Sequence, residues 1–102
     1  MRNVVVPYPS QPDPGAFKRY HMNEHVALVR KLPGARALSY SCDGQAPEGA
    51  SPEFCVFEAE FDNGAAMAGV MASPRGQAVA ENVAIFAEVP PTLIHYPVEA
   101  RI

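Results

Sequence analysis

The sequence predicts an α+β fold in which a four-stranded antiparallel sheet carries its helices on one face. Three observations predict it: β-branched or alternating segments at both ends and in the middle, one long amphipathic helix after the first segment, and a second helical region before the last. The order strand, helix, strand, strand, helix, strand is the ferredoxin-like βαββαβ arrangement. The predicted segments are strands at 2–8, 35–42, 54–61 and 92–99, and helices at 14–32, 62–72 and 74–82.

The strands are predicted from residue type and alternation. Three consecutive valines stiffen the first strand, and Pro7 and Pro9 end it. The third strand alternates cleanly, because Cys55, Phe57 and Phe61 share one face with a small alanine between them. The segment 43–53, which holds two glycines and two prolines, is predicted to be a loop.

The first helix carries two histidines inside its buried stripe. Asp13 and Pro14 suit its N-cap and first turn, and Pro33-Gly34 ends it. At about 100° per residue, five side chains point to the same side of the helix. They are Phe17, His21, His25, Leu28 and Leu32. A buried imidazole needs a partner, water or a pocket, so these histidines either are satisfied within the core or line a pocket between helix and sheet.

The second helical region has two start signals. Asp62 or Asn63 can cap a helix that runs to residue 72. Ser73 and Pro74 then suit the N-cap and the first position of a new helix. The segment 83–89 fits either a helix or a strand, and prolines follow it.

Composition limits the function classes. The 102 residues suit one domain, 1–102, and the net charge of −3 without a basic run argues against nucleic-acid binding. No apolar run approaches the ~20 residues of a membrane span, and the N-terminus lacks a signal-peptide pattern. We therefore expect a soluble, cytoplasmic protein. Cys42 and Cys55 are then expected to be reduced, although they flank one loop and a disulfide stays open.

The segment 21–25 spells H-x-x-E-H, a metalloprotease signature. A protease of that class needs a third ligand on another helix and a substrate cleft, for which about 100 residues offer little room. We therefore expect no zinc protease and no resident metal. A simple metal site that uses His21, His25 and a carboxylate of the third strand, Glu58 or Glu60, stays open.

The stretch Phe17-x-x-Tyr20-x-x-x-x-His25-x-x-Leu28-Val29 resembles the signature of the EthD family, small proteins named for ethyl tert-butyl ether degradation. The resemblance covers nearly the whole chain. It includes a first strand that ends in Tyr8-Pro9, Pro-Gly after the long helix, a third strand that closes with Phe61-Asp62 and a last strand after Pro90. Where the family often has proline two residues after the histidine, this chain has Ala27.

The resemblance implies a homodimer in which two sheets form an α+β barrel. The topology agrees, because helices on one face leave the other face bare for a second copy. The same barrel hosts cofactor-free monooxygenases, muconolactone isomerases and haem proteins. By that analogy His25 is the expected catalytic residue, with Tyr20 and His21 beside it. The side chains expected to contact substrate are Phe17, Leu28, Tyr40 and Tyr8.

Two functions follow as hypotheses. In the first, an oxidoreductase or accessory protein of oxidative degradation acts on a small apolar compound of ether or aromatic type. His25 serves as general base or proton shuttle, and Tyr20 or Tyr40 holds an oxyanion. In the second, a non-catalytic dimer binds or stabilises a ligand and its histidines are structural. Neither hypothesis requires a cofactor, and haem or a metal is left open. A cavity of a few hundred Å3 beside His25 would favour the first.

Overall fold

The computed structural model describes residues 1–50 and 53–100 of the chain. Four strands form one sheet, and they are β1 (Arg2–Pro9), β2 (Leu38–Cys42), β5 (Glu53–Phe61) and β6 (Ile94–Pro97). A small hairpin of β3 (Gln45–Ala46) and β4 (Gly49–Ala50) lies between β2 and β5 in the chain. The order in the sheet is β2–β5–β1–β6, with every neighbouring pair antiparallel, which confirms the ferredoxin-like α+β architecture. The helices are α1 (Pro14–Tyr20), α2 (Val26–Val29), α3 (Gly64–Ala72) and α4 (Pro74–Phe86), with a π-helical segment (His21–His25) joining α1 to α2.

The core lies between the helices and one face of the sheet. Pairing places Val4 beside Ala59 and Val6 beside Phe57, so alternate residues of the two central strands face the helices together. The predicted alternation of the third strand is therefore confirmed. The buried hydrophobic cluster contains Val4, Val6, Tyr8, Phe17, Cys55, Ala59, Phe61, Met67 and Ala87.

The long helix is underwound in its middle, which the sequence did not predict. The Val26 N–H bonds to the His21 carbonyl, five residues back, where an α-helix would reach back four. The buried positions are Phe17, His21, His25 and Val29, spaced four apart. At about 100° per residue, Val29 would lie about 120° from Phe17 in a regular helix. The π-helical segment removes that offset, so Val29 is buried and the predicted Leu28 is only half-buried. The helix also ends at Val29, three residues before the predicted 32.

Side-chain caps set the helix starts as predicted. Asp13 Oδ1 accepts from the Ala16 N–H at 3.0 Å, and Asn63, the second of the two predicted candidates, accepts from the Ala66 N–H at 2.8 Å. Ser73 caps α4 through the Gly76 N–H at 3.1 Å. Helix α4 continues to Phe86, beyond the predicted end, which resolves most of the ambiguous segment as helix.

The predicted loop 43–53 contains the β3–β4 hairpin, and its residues 51 and 52 lie outside the described residues. Strand β2 begins later than predicted, at Leu38, although the Arg36 N–H still bonds to the Glu60 carbonyl at 2.8 Å. The last strand is shortened to four residues. Within the described residues, no helix combines the length and the apolar character that crossing a bilayer requires.

Cys42 and Cys55 are joined by a disulfide, so the expectation that both are reduced is wrong. They lie directly opposite each other on β2 and β5, with Cα atoms 4.0 Å apart. The expected cell compartment favoured reduced thiols, whereas the pairing depends on the register between two strands that a loop separates. The disulfide fixes that register beside Tyr40, whose hydroxyl donates to Cys42 Sγ at 2.8 Å.

Candidate functional site

An apolar cavity of about 260 Å3 lies between the helices and the inner face of the sheet. Its walls come from both central strands, from α2, α3 and α4 and from the segment before β6. Among the described residues that line it, His25 and Tyr8 are the members with a polar side chain, and none is charged. The apolar part of the lining is Val4, Val6, Val29, Leu32, Ala35, Leu38, Phe57, Ala59, Phe61, Val70, Met71, Gly76, Val79, Ala80, Val83, Pro91 and Leu93.

His25 is held by a neighbouring helix. Its Nδ1 lies 2.8 Å from Oδ1 of Asn82, on α4, and the Asn82 amide nitrogen donates to the Tyr20 hydroxyl at 2.9 Å. Burial lowers the pKa of His25, and the hydrogen bond to Asn82 partly opposes this effect. The imidazole is therefore neutral at pH 7, as a general base or a hydrogen-bond acceptor must be.

His21 lies one turn away and has no hydrogen-bonding partner in the part of the chain that the structure describes. Its side chain is 0% exposed, and both ring nitrogens are buried without a partner among the described residues. The ring stacks on Tyr40 with centroids 3.8 Å apart and planes 8° apart, and lies 5.0 Å from the His25 ring. Burial first, and then the neighbouring His25, lower the pKa of His21 to about 3. His21 thus remains neutral across the physiological range.

The tyrosines occupy different environments. Tyr8 is 1% exposed and lines the cavity, and burial raises its pKa well above its usual range, so its phenol stays protonated. Tyr40 packs between His21 and the disulfide, and burial raises the pKa of Tyr40 to about 12. Tyr20 stacks on Phe86 and lines a separate opening of about 200 Å3.

The structure therefore divides the sequence-predicted site residues. Within the described chain, His25 and Tyr8 are brought to the cavity, whereas Tyr20 reaches it only through Asn82. The other predicted site residues lie outside the cavity lining. His21 and Phe17 are buried in the aromatic core, Tyr40 faces a groove on the far side of α2, and Leu28 is half-buried outside the cavity lining. Their assignment to catalysis or substrate binding stays a prediction.

Sequence reasoning missed Asn82. It is 9% exposed and lies on the same helical face as Val79 and Phe86, so it is a polar residue inside an apolar stripe. That is the signal that singled out the two histidines, but the helix was predicted to end at this residue. A helix extended to residue 86 would have revealed it.

Metal binding finds no support in the described part of the chain. There, no group of three or more His, Cys, Asp or Glu side chains is arranged to hold an ion. The predicted carboxylate partners lie on the wrong side of the sheet. Glu58 and Glu60 alternate with Phe57 and Ala59, which face the helices, so they project to the face opposite His25.

Relatives of the chain were found by sequence and by structure, while no family model matches it. An uncharacterized 11.0 kDa protein of the thcB–thcC intergenic region of Rhodococcus erythropolis is 33% identical over 91 residues, which cover 85% of this chain and 84% of that protein. The crystal structure of an ethyl tert-butyl ether degradation (EthD) family protein from Bacillus halodurans superimposes with a TM-score of 0.90. It is 26% identical, over 96% of this chain and 98% of that one.

In sequence and fold the chain is similar to an EthD family protein. A hydroxynitrile lyase from Passiflora edulis shares the fold, with a TM-score of 0.75 and 16% identity over 99% of this chain and 94% of that one. At that identity the likeness concerns the architecture alone. The likeness to an EthD family protein confirms the resemblance that the Tyr-His spacing indicated. The role of each residue in this EthD-like protein must be inferred from its chemistry.

Replacing His21 by phenylalanine is expected to stabilise the protein. The substitution removes two unpartnered buried nitrogens and keeps an aromatic ring against Tyr40. One buried unsatisfied polar group costs about 1–3 kcal/mol, and we expect a gain of that order in the free energy of unfolding, measured by urea denaturation.

The matched control is His25→Phe. This change removes a partnered imidazole and leaves the Asn82 oxygen unsatisfied, so it is expected to lower the same free energy. If His21→Phe destabilises the protein as much as His25→Phe does, then His21 has a hydrogen-bonding partner in solution.

Stability is expected to fall as the pH is lowered. Because the folded-state pKa of His21 is about 3 and the unfolded value is about 6.5, the unfolded state binds the extra proton between these limits. Each unit by which the pH falls below about 6.5 then lowers the free energy of unfolding by about 1.4 kcal/mol through this histidine. The lowered pKa of His25 adds to this loss of stability.

Urea denaturation at pH 7.5, 6 and 5 measures this loss. In His21→Phe the slope of stability against pH should be smaller. An unchanged slope in that variant would show that His21 does not titrate as a buried neutral group.

Proposed function

We propose that this EthD-like protein acts on a small, uncharged organic molecule held in the cavity, with His25 as general base or proton shuttle. The observation that carries the proposal is one neutral imidazole, oriented by a hydrogen bond, among almost wholly apolar walls. The likeness to an EthD family protein supports a function that involves a small molecule. The name of that neighbour, ethyl tert-butyl ether degradation, favours breakdown of an ether. We propose that the protein is the oxidoreductase, or its accessory, in oxidative breakdown of an ether or aromatic compound.

The cavity selects against charged substrates. An isolated carboxylate or phosphate would lose its hydration without meeting a cation, since no described lining residue is charged. The volume of 260 Å3 exceeds the ~150 Å3 that suffices for benzene. A branched ether or a substituted aromatic ring therefore fits this space.

The chemistry available here is proton transfer. Neutral His25 can take a proton from a weakly acidic O–H or C–H group, and burial in apolar surroundings strengthens the interaction. Tyr8, which keeps its phenolic proton, replaces Tyr20 and Tyr40 as the side chain suited to hold a developing oxyanion. These steps use this chain's own residues and call on no cofactor.

One observation favours the second hypothesis, a binding module without catalysis. His25 is hydrogen-bonded to Asn82, as a purely structural histidine would be. A bound ligand that is never converted, with or without oxygen, would decide for the module.

Ligand binding at His25 is the first prediction of the proposal. Ethyl tert-butyl ether, benzaldehyde and 4-tert-butylphenol are titrated into 15N-histidine-labelled protein, and the ring signals are followed by NMR. At least one compound should shift the His25 signals, and His25→Gln should weaken its binding by about tenfold or more. Oxygen uptake and product analysis on the same samples separate turnover from binding.

The matched control is His95→Gln, at an exposed histidine on β6 that accepts a hydrogen bond from Arg2. That variant should bind like the wild type. Because His25→Gln alters a buried site, Val79→Phe provides an independent test by filling the cavity from α4. The proposal fails if folded wild-type protein binds none of these compounds and converts none of them.

We also propose that the bare face of the sheet joins two copies of the chain. Alternation sends Val5, Val56, Ile94 and Tyr96 to the face opposite the helices, and Ile94 is 48% exposed. Asn3, on the same face, has a buried side-chain oxygen without a partner among the described residues. A second copy would cover the apolar side chains and could satisfy Asn3, in a self-complementary two-fold interface.

Sedimentation equilibrium tests this dimer. The wild type should sediment at twice the 11.0 kDa of the chain. Ile94→Asp should raise the dissociation constant about tenfold or more, because it places a charge in the interface.

The matched control is Ile85→Asp, on α4, where the isoleucine is 71% exposed. It should leave the dimer intact. Equal effects of the two aspartates, or a wild type that sediments as a monomer, would contradict this interface.

A further inference from the structure

Asn82 connects two side chains of the long helix. Its side chain is 9% exposed, its Oδ1 lies 2.8 Å from His25 Nδ1, and its Nδ2 donates to the Tyr20 hydroxyl at 2.9 Å. Both ends of the amide are therefore engaged, one by the residue just before the π-helical segment and the other by the last residue of that segment.

The amide orientation decides which tautomer His25 adopts. Because Nδ2 donates to Tyr20, Oδ1 is the atom turned toward His25. An amide oxygen can only accept, so His25 Nδ1 must carry the proton. In the neutral imidazole the lone pair is then on Nε2.

The π-helical segment is what allows one amide to reach both residues. Tyr20 and His25 are five positions apart, which in a regular α-helix separates their directions by about 140°. A turn closed by an i→i+5 hydrogen bond brings residues five apart close to alignment. The underwound turn thus places Tyr20 and His25 on the same side of the helix, toward α4.

Tyr20 has no place in the cavity lining of the described chain. It lines the separate opening with Phe86, on which it stacks with centroids 5.2 Å apart. Its hydroxyl therefore acts on the site through Asn82, at one remove from any molecule in the cavity.

We infer that Asn82 and Tyr20 are positioning residues that fix His25 in the Nδ1–H tautomer and so make Nε2 the base at the cavity. The inference rests on the proposed function of His25, and it changes the expected duty of Tyr20 from catalysis to orientation. An imidazole held in one tautomer and one ring orientation needs no rearrangement before it accepts a proton.

The 15N chemical shifts of the His25 ring, measured without ligand, report the tautomer directly. In the wild type, Nδ1 should show the protonated and Nε2 the unprotonated shift. Asn82→Leu should move both nitrogens toward the Nε2–H form or an average of the two forms. Asn82→Asp, whose carboxylate also accepts from Nδ1, should restore the wild-type pattern. Tyr20→Phe, which frees the amide to rotate, should give an intermediate pattern.

Binding of 4-tert-butylphenol compared with tert-butylbenzene measures the consequence. The two probes have nearly the same shape, and only the phenol can donate to Nε2. Asn82→Leu should lower the phenol affinity about tenfold and leave that of tert-butylbenzene unchanged. The control is Asn23→Leu, at an exposed position of the π-helical segment that carries His25, which should change neither the ring shifts nor the binding.

The outcomes separate the two proposals. A wild-type His25 in the Nε2–H form, or a tautomer that is the same in Asn82→Leu and the wild type, overturns the inference, even if His25→Gln abolishes phenol binding and the proposed function stands. A correct tautomer pattern without binding of either probe supports the positioning and counts against the proposed function. If Asn82→Leu does not fold, Tyr20→Phe and Asn82→Asp carry the same test.

Discussion

One hydrogen bond, from the Val26 N–H to the His21 carbonyl, decides which side chains of the long helix face the sheet. It widens a single turn, and the buried positions then recur every four residues from Phe17 to Val29. Without it the stripe would drift around the helix by about 40° at each such step. π-helical turns are rare in proteins, and those that occur often lie at functional sites. Here the turn holds His25 over the cavity.

The two histidines illustrate how differently a buried imidazole can be accommodated. On burial, a hydrogen bond with Asn82 replaces hydration at one ring nitrogen of His25, and the other ring nitrogen is left to interact with a ligand. His21 receives only ring contacts, with Tyr40 stacked on it, and both of its nitrogens lack partners in the described chain. Stacking offsets part of the lost hydration, but a leucine or phenylalanine would pack there without that cost. Because the core does not require a histidine at this position, we attribute His21 to function.

The sequence predicted those features that depend on a few neighbouring residues. Alternation located the strands, and Asp13, Asn63 and Ser73 capped the helices as their types suggest. The failures lie where distant segments meet. Burial of Val29 follows from an irregular turn that a fixed 100° step cannot represent, and the Cys42–Cys55 disulfide follows from strand register. Of the candidate site, His25 and Tyr8 were predicted, whereas Asn82 required knowing that α4 continues to Phe86.

The same two strands form the floor of the cavity and the middle of the proposed dimer face. Val4 lines the cavity, while the next residue, Val5, points the other way, and Ala59 and Glu58 on β5 divide in the same manner. A second copy pressed against the outer face would hold these strands in place from behind, without contributing a side chain to the cavity. Dimerisation would then stabilise the site by fixing its floor. Ligand specificity would remain with the helices above, where His25, Val79 and Val83 lie.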